Sequence, residues 1–116
     1  VGGRLDHTVA TIQTATFVAE NGGIAYIYDG NRTVTAIKNS SINFKANAKG
    51  YISIFALSGV AKGVKIKGLL YELNDAEITP SFPIGVSNEF INKESEISVK
   101  DGILTIIFEG THNLIK

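Results

Sequence analysis

Along most of the chain, apolar and polar residues alternate with a period of two, and the runs are broken by Gly, Asn and Asp. Successive side chains of a strand point to opposite faces, so this pattern predicts antiparallel sheet with one buried and one wet face. Ile42, Phe44, Ala46 and Ala48 alternate with Asn43, Lys45, Asn47 and Lys49. Ile97 and Val99 alternate with Glu96, Ser98 and Lys100, and Arg32–Lys38 is rich in Thr and β-branched residues that suit a strand. Two runs are apolar on both faces. In the first, Ile52, Ile54 and Ala56 oppose Tyr51, Phe55 and Leu57; in the second, Leu104, Ile106 and Phe108 oppose Ile103 and Ile107. Such strands lie in the middle of a sandwich or offer one face to another subunit. Tyr51, Phe55, Leu57, Leu104, Ile106 and Phe108 are therefore the candidate subunit interface.

The breaks carry their own chemistry. Asp101-Gly102 predicts a two-residue hairpin of type I′, which needs positive φ at both positions. Asn21-Gly22-Gly23 and Asp29-Gly30-Asn31 bracket the short run Ile24–Tyr28. The run Val64–Leu73 changes phase at Gly68, as a β-bulge or corner would. Asn74–Lys93 holds both prolines, Pro80 and Pro83, and reads as a long connection with at most a short strand. Near the start, Leu5, Val9 and Ile12 have helical spacing, but four Thr between Thr8 and Thr16 favour extended chain, so residues 1–12 are expected as a short neck or arm. The sum is an all-β, single-domain chain over residues 1–116: an antiparallel β-sandwich or jelly roll of about eight strands.

Composition narrows the function classes. The chain has 116 residues, 44% hydrophobic and 19% charged, a globular balance. There is no Cys, hence no disulfide and no thiolate metal site. Lys plus Arg equals Asp plus Glu, at 11 each, which gives no overall pull toward nucleic acid or a membrane surface. No apolar run approaches the roughly 18 residues of a membrane span, and no signal peptide is expected from the first residues.

Charge is nevertheless uneven. From Gly30 to Leu70 there are seven basic residues and no acid; from Glu72 to Glu109 there are eight acids and two lysines. Either the two segments interleave and their charges pair across strands, or they form separate patches that orient copies of the chain. A third reading makes Lys45, Lys49, Lys62, Lys65 and Lys67 a basic patch for an anionic polymer.

Nothing in the sequence marks catalysis. His7 and His112 belong to no ligand spacing, and no nucleophile elbow, P-loop or zinc motif is present. No catalytic residue, metal or cofactor is expected, and the chain reads as a non-enzyme. Tyr26 and Tyr28 share one face beside two Gly-containing turns and are the candidate ligand contact.

The Thr- and Ile-rich strands, Asn/Gly turns, lack of Cys and Trp, and short neck at Leu5–Ile12 give a texture that resembles the β-sandwich modules of bacteriophage virions. These are tail-fibre tips, baseplate receptor-binding heads and capsid accessory proteins. The resemblance implies a structural or receptor-binding module on a virion or extracellular surface. It would act as a homo-oligomer such as a trimer, and meet a surface glycan or another virion protein. The alternative is a carbohydrate-binding or adhesion module with Tyr26 and Tyr28 as its platform.

Overall fold

The computed structural model describes residues 2–80 and 87–110, with side chains from Val9 onward except that of Asp29. His7, as a side chain, and His112 and Pro83 lie outside the described residues. One helix, α1 (Gly2–Glu20), precedes nine strands: β1 (Ile27–Asp29), β2 (Arg32–Lys38), β3 (Ser41–Phe44), β4 (Tyr51–Phe55), β5 (Ala61–Lys67), β6 (Leu73–Ile78), β7 (Ser87–Glu89), β8 (Ser95–Ser98) and β9 (Ile103–Glu109). They form two antiparallel sheets, a five-stranded one in the order β1-β2-β9-β4-β7 and a four-stranded one in the order β3-β8-β5-β6. The expected all-β sandwich is present.

The alternating apolar positions supply the space between the sheets. Ile52, Ile54, Leu104, Ile106 and Phe108 of the five-stranded sheet meet Ile42, Phe44, Val64, Ile66 and Ile97 of the four-stranded sheet in one cluster. Phe44 sits at its centre, edge-on to Phe90 at 5.2 Å and to Phe108 at 5.0 Å. Such edge contacts add about 1 kcal/mol each beyond the area buried. Leu104, Ile106 and Phe108 are at most 1% exposed. They belong to the chain's own core, and no area remains on them for a subunit contact.

The N-terminal expectation is corrected. Residues 2–20 form a helix, and its described part packs on β2 and β9. The buried positions are Thr11, Ala15, Thr16 and Ala19, with Ile12 packed against them, while Val9 is 46% exposed. The docking stripe is thus built of small residues and hydroxyls, which do not register as an apolar stripe. The Thr hydroxyls are accommodated within the helix: Thr14 Oγ1 donates to Ala10 O and Thr16 Oγ1 to Ile12 O, each at 2.8 Å. Asn21-Gly22-Gly23 ends the helix. Gly23 N–H donates to Val18 O, Gly22 N–H donates to Ala19 O, and Gly22 takes the left-handed φ of 84° that this cap requires.

Three further expectations change. Asp101-Gly102 is not a hairpin, because β8 and β9 lie in different sheets. It is a corner, and Asp101 keeps an ordinary φ. Gly102 is required there by proximity as well as by its φ of 123°: a Cβ would lie 2.9 Å from Ala61 Cα. The same corner carries the chain from β2 to β3, and the two passages are clasped together. Asn39 N–H donates to Gly102 O, and Gly102 N–H donates to Asn39 Oδ1. Next, the described residues of the stretch 74–93 include two strands: most of β6, at the edge of the four-stranded sheet, and β7, at the edge of the other. Finally, Ala46 is exposed, because the β3 alternation stops at Phe44 and the chain turns through Lys45–Ala48.

Candidate functional site

Among the described residues, the outer face of the five-stranded sheet is only half covered. The helix lies over β1, β2 and β9, where Ile27, Val34, Ala36, Ile103 and Ile107 pack against it. Thr105 of β9, fully buried, meets Thr16 of the helix through a hydroxyl–hydroxyl hydrogen bond of 3.0 Å. Thr16 spends its single proton on Ile12 O, so Thr105 is the donor. The outward face of β9, one of the two doubly apolar runs, is therefore satisfied by α1. That of β4 is not: Tyr51 is 65% and Leu57 48% exposed, and Phe55 is half-buried.

Strand pairing sets what stands beside Tyr51. Its partner on β7 is Glu89, and Ser53 is paired with Ser87 one row along on the same face. Beyond β7, Leu70 N–H donates to Glu89 O and Leu69 bridges Phe90, so residues 69–71 continue the sheet by one short segment. Leu69 is buried toward the core, and alternation turns Leu70, 48% exposed, to the same outer face as Glu89. Tyr51, Glu89 and Leu70 thus form a row over the pair Ser53 and Ser87. On the other side of Tyr51 stands Glu109 of β9, whose carboxylate accepts the Tyr51 N–H at 2.6 Å and whose strand partner on β2 is Arg32. A concavity of about 370 Å³ opens here, lined by Arg32, Tyr51, Ser53, Ile107 and Glu109 among others.

The far edge of this strip is fixed from within. Asn88, 4% exposed, accepts the N–H of Tyr71 at 2.9 Å and of Glu89 at 3.0 Å through Oδ1, and donates from Nδ2 to Tyr71 O at 2.8 Å. A buried side-chain amide thereby holds the 70–71 backbone against β7. The strip is an open platform carrying an aromatic ring, two carboxylates and two hydroxyls. The aromatic face and the two carboxylates suit a positively charged ligand, and Arg32 stands beside them on the lining of the concavity. Among the described residues, no group of three or more His, Asp or Glu side chains converges as a metal site. No helix among them is long and apolar enough to cross a membrane.

A family model described as thiamin pyrophosphokinase, vitamin B1 binding domain, matches residues 39–104. The chain belongs to this family. Tyr51, Ser53, Leu70, Ser87 and Glu89 all fall inside the matched segment of the vitamin B1 binding domain; Arg32 and Glu109 flank it. Solved thiamin pyrophosphokinases share the fold. That of Bacillus subtilis is 26% identical, with a TM-score of 0.81 over 95% of this chain and 52% of that one. That of Geobacillus thermodenitrificans is 23% identical, with a TM-score of 0.72 over 97% and 52%. That of Candida albicans is 17% identical, with a TM-score of 0.69 over 94% and 42%. The chain spans about half the length of these relatives. No curated protein sequence matches it.

The family overturns the functional expectation. The chain is not a bacteriophage virion module, nor a glycan-binding module, and a virion or extracellular surface is not where this family points; the expectation of a non-enzyme falls too, because the family is that of thiamin pyrophosphokinases, which are enzymes. The likeness to virion modules rested on strand and turn texture, which any small sandwich shares. Tyr26 and Tyr28 are exposed, at 39% and 60%, on the edge strand β1 and just before it, separated from the Tyr51 row by β2 and β9. Burial, and then the neighbouring Tyr28, push the Tyr26 phenol above its ordinary value.

The basic stretch does not stand apart. Lys62, Lys65 and Lys67 lie on β5, between β8 with Glu96 and β6 with Asp75 and Glu77, and Lys67 is the direct strand partner of Glu96. Lys45 and Lys49 sit in the β3–β4 turn. Lysines and acids thus stand on neighbouring strands of the four-stranded sheet. Sequence reasoning missed Ser53, Leu70, Ser87, Glu89 and Glu109. The only signal was the doubly apolar β4, which named Tyr51 but assigned its free face to a subunit.

Proposed function

We propose that this chain supplies the thiamin-holding part of a pyrophosphokinase and that thiamin lies on the bare strip between α1 and the 69–71 segment. One observation supports this above the others. The exposed Tyr51 ring stands between Glu89 and Glu109, on a part of the outer sheet face that the helix leaves open, and Tyr51 and Glu89 lie within the matched vitamin B1 binding segment.

The chemistry fits residue by residue. Thiamin carries a permanently charged thiazolium and an aminopyrimidine. An aromatic face attracts such a cation by about 1 kcal/mol at an open site. The carboxylates of Glu89 and Glu109 add charge complementarity and orientation. Ser53 and Ser87 offer hydroxyls to the polar edge of the pyrimidine. In this reading the strip fixes the acceptor of the transferred group, so that its hydroxyl has one orientation.

Isothermal titration with thiamin tests the assignment. Tyr51→Ala and Glu89→Gln should each weaken binding by about fivefold or more, the loss of roughly 1 kcal/mol. Lys49→Gln, on the β3–β4 turn, should leave it unchanged. An analogue with a neutral thiazole should bind more weakly than thiamin. Equal affinity for thiamin in the wild type and in both strip variants overturns the assignment.

A further inference from the structure

The opposite outer face carries a second concavity, of about 410 Å³, with two lysines and one aspartate on its lining. Its floor is one row across three strands. Ser41 of β3 is paired with Ser98 of β8, which is paired with Lys65 of β5. Small hydroxyl side chains in two adjacent strands leave the hollow, and the lysine forms its side. Lys100, two residues beyond Ser98, closes it.

The position of Lys100 is built rather than incidental. Gly63 interrupts the β5–β6 register and has a φ of 64°. A Cβ there would lie 2.7 Å from Cβ, Cγ and Cδ of Lys100, so the lysine stem runs directly over the bare Gly63 backbone. A long, flexible side chain laid on a glycine has fewer rotamers to lose when its ammonium takes a partner. The hollow thus has two ammonium donors and two hydroxyl donors, with the Asp75 carboxylate as an acceptor on its lining.

We propose that this hollow binds a phosphate-class anion: a phosphate or pyrophosphate group carried by a small molecule, held by Lys65, Lys100, Ser41 and Ser98. Two ammonium groups exclude the thiamin cation from it, which separates this site from the strip on the other sheet. Tetrahedral oxyanions accept from several donors at once, and hydroxyls with lysine ammoniums are a fitting set for them. Asp75 favours a ligand that also bears a hydroxyl or an amine to donate to it, over a bare anion.

Titration of the 15N-labelled chain with inorganic pyrophosphate, and separately with a phosphate monoester of a small amino alcohol, tests this. The amides of Ser41, Gly63, Ser98 and Lys100 should shift in a saturable way. The double variant Lys65→Gln/Lys100→Gln should weaken binding at least tenfold. Lys45→Gln/Lys49→Gln, the same charge change in the β3–β4 turn, should leave it within twofold. Gly63→Ser should also weaken binding by displacing Lys100, and a wild-type-like spectrum elsewhere will show that the fold is kept. If shifts spread evenly over all exposed lysines, or both double variants weaken binding equally, the anion meets only a diffuse charge and the site is refuted. A monoester that binds no better than pyrophosphate removes the role given to Asp75.

Discussion

Glu109 reaches from β9 to accept the backbone amide of Tyr51 at 2.6 Å, across a space that exists only because residue 50 has no side chain. A Cβ on Gly50 would stand 2.7 Å from the Glu109 carboxylate oxygen, and Gly50 has a φ of 96°. Gly50→Ala combines backbone strain with displacement of a charged hydrogen-bond partner. We expect a loss of about 2–4 kcal/mol in denaturant unfolding. Gly30→Ala, at a φ of 66° with no atom within 4 Å, should cost only about 1 kcal/mol. Equal costs would contradict the role given to Glu109.

The hydroxyl pair that docks the helix gives a directional prediction. Thr16→Val leaves the Thr105 proton without its acceptor in a fully buried place, and should cost about 1–3 kcal/mol. The double variant Thr16→Val/Thr105→Val removes both partners and should recover part of that loss. A double variant whose cost equals the sum of the single costs would show that the two hydroxyls are energetically independent.

Asn88 should matter for the strip without touching its ligand. Asn88→Ala removes three hydrogen bonds of a buried amide and strands the Tyr71 N–H and C=O. A loss of about 2–3 kcal/mol is expected. In hydrogen exchange, the amides of Tyr71 and Glu89 should lose protection while those of β2 keep theirs.

Tyr26 sets a pH dependence. Its phenol is raised above the ordinary value of 10.0, by burial first and by Tyr28 second. Above the unfolded value, the folded chain holds a proton that the unfolded chain has released. The resulting stabilisation is complete below about pH 10 and is lost as pH rises through the folded value. Tyr26→Phe should flatten the alkaline fall of the melting temperature. Tyr28→Phe should move the Tyr26 phenolate absorbance to lower pH.

The sandwich was legible because its two inner faces follow strict alternation: Ile52 and Ile54, Leu104 and Ile106, Ile97 and Val99. Three things were not legible, each for a physical reason. The helix packs through Thr11, Ala15, Thr16 and Ala19, so its buried stripe lacks large apolar side chains. The corner at Gly102 looks like a hairpin because Asp-Gly suits both, and only the partners of β8 and β9 decide between them. The site is assembled across strands from residues far apart in sequence, Tyr51 with Glu89 and Glu109, and none of its pairs forms a local motif. β4 did announce its free face. Half of that inference was answered by α1 covering the equivalent face of β9, which composition does not show.

The central claim is that thiamin occupies the bare β4–β7 strip. Titrating the 15N-labelled chain with thiamin and following amide shifts tests it directly. The account predicts saturable shifts at Tyr51, Ser53, Leu70, Tyr71, Ser87 and Glu89, with the outer face of the four-stranded sheet silent. Saturable shifts confined to the β3–β8–β5 face or to β1, or no shifts at thiamin concentrations that saturate other thiamin-binding proteins, would contradict it.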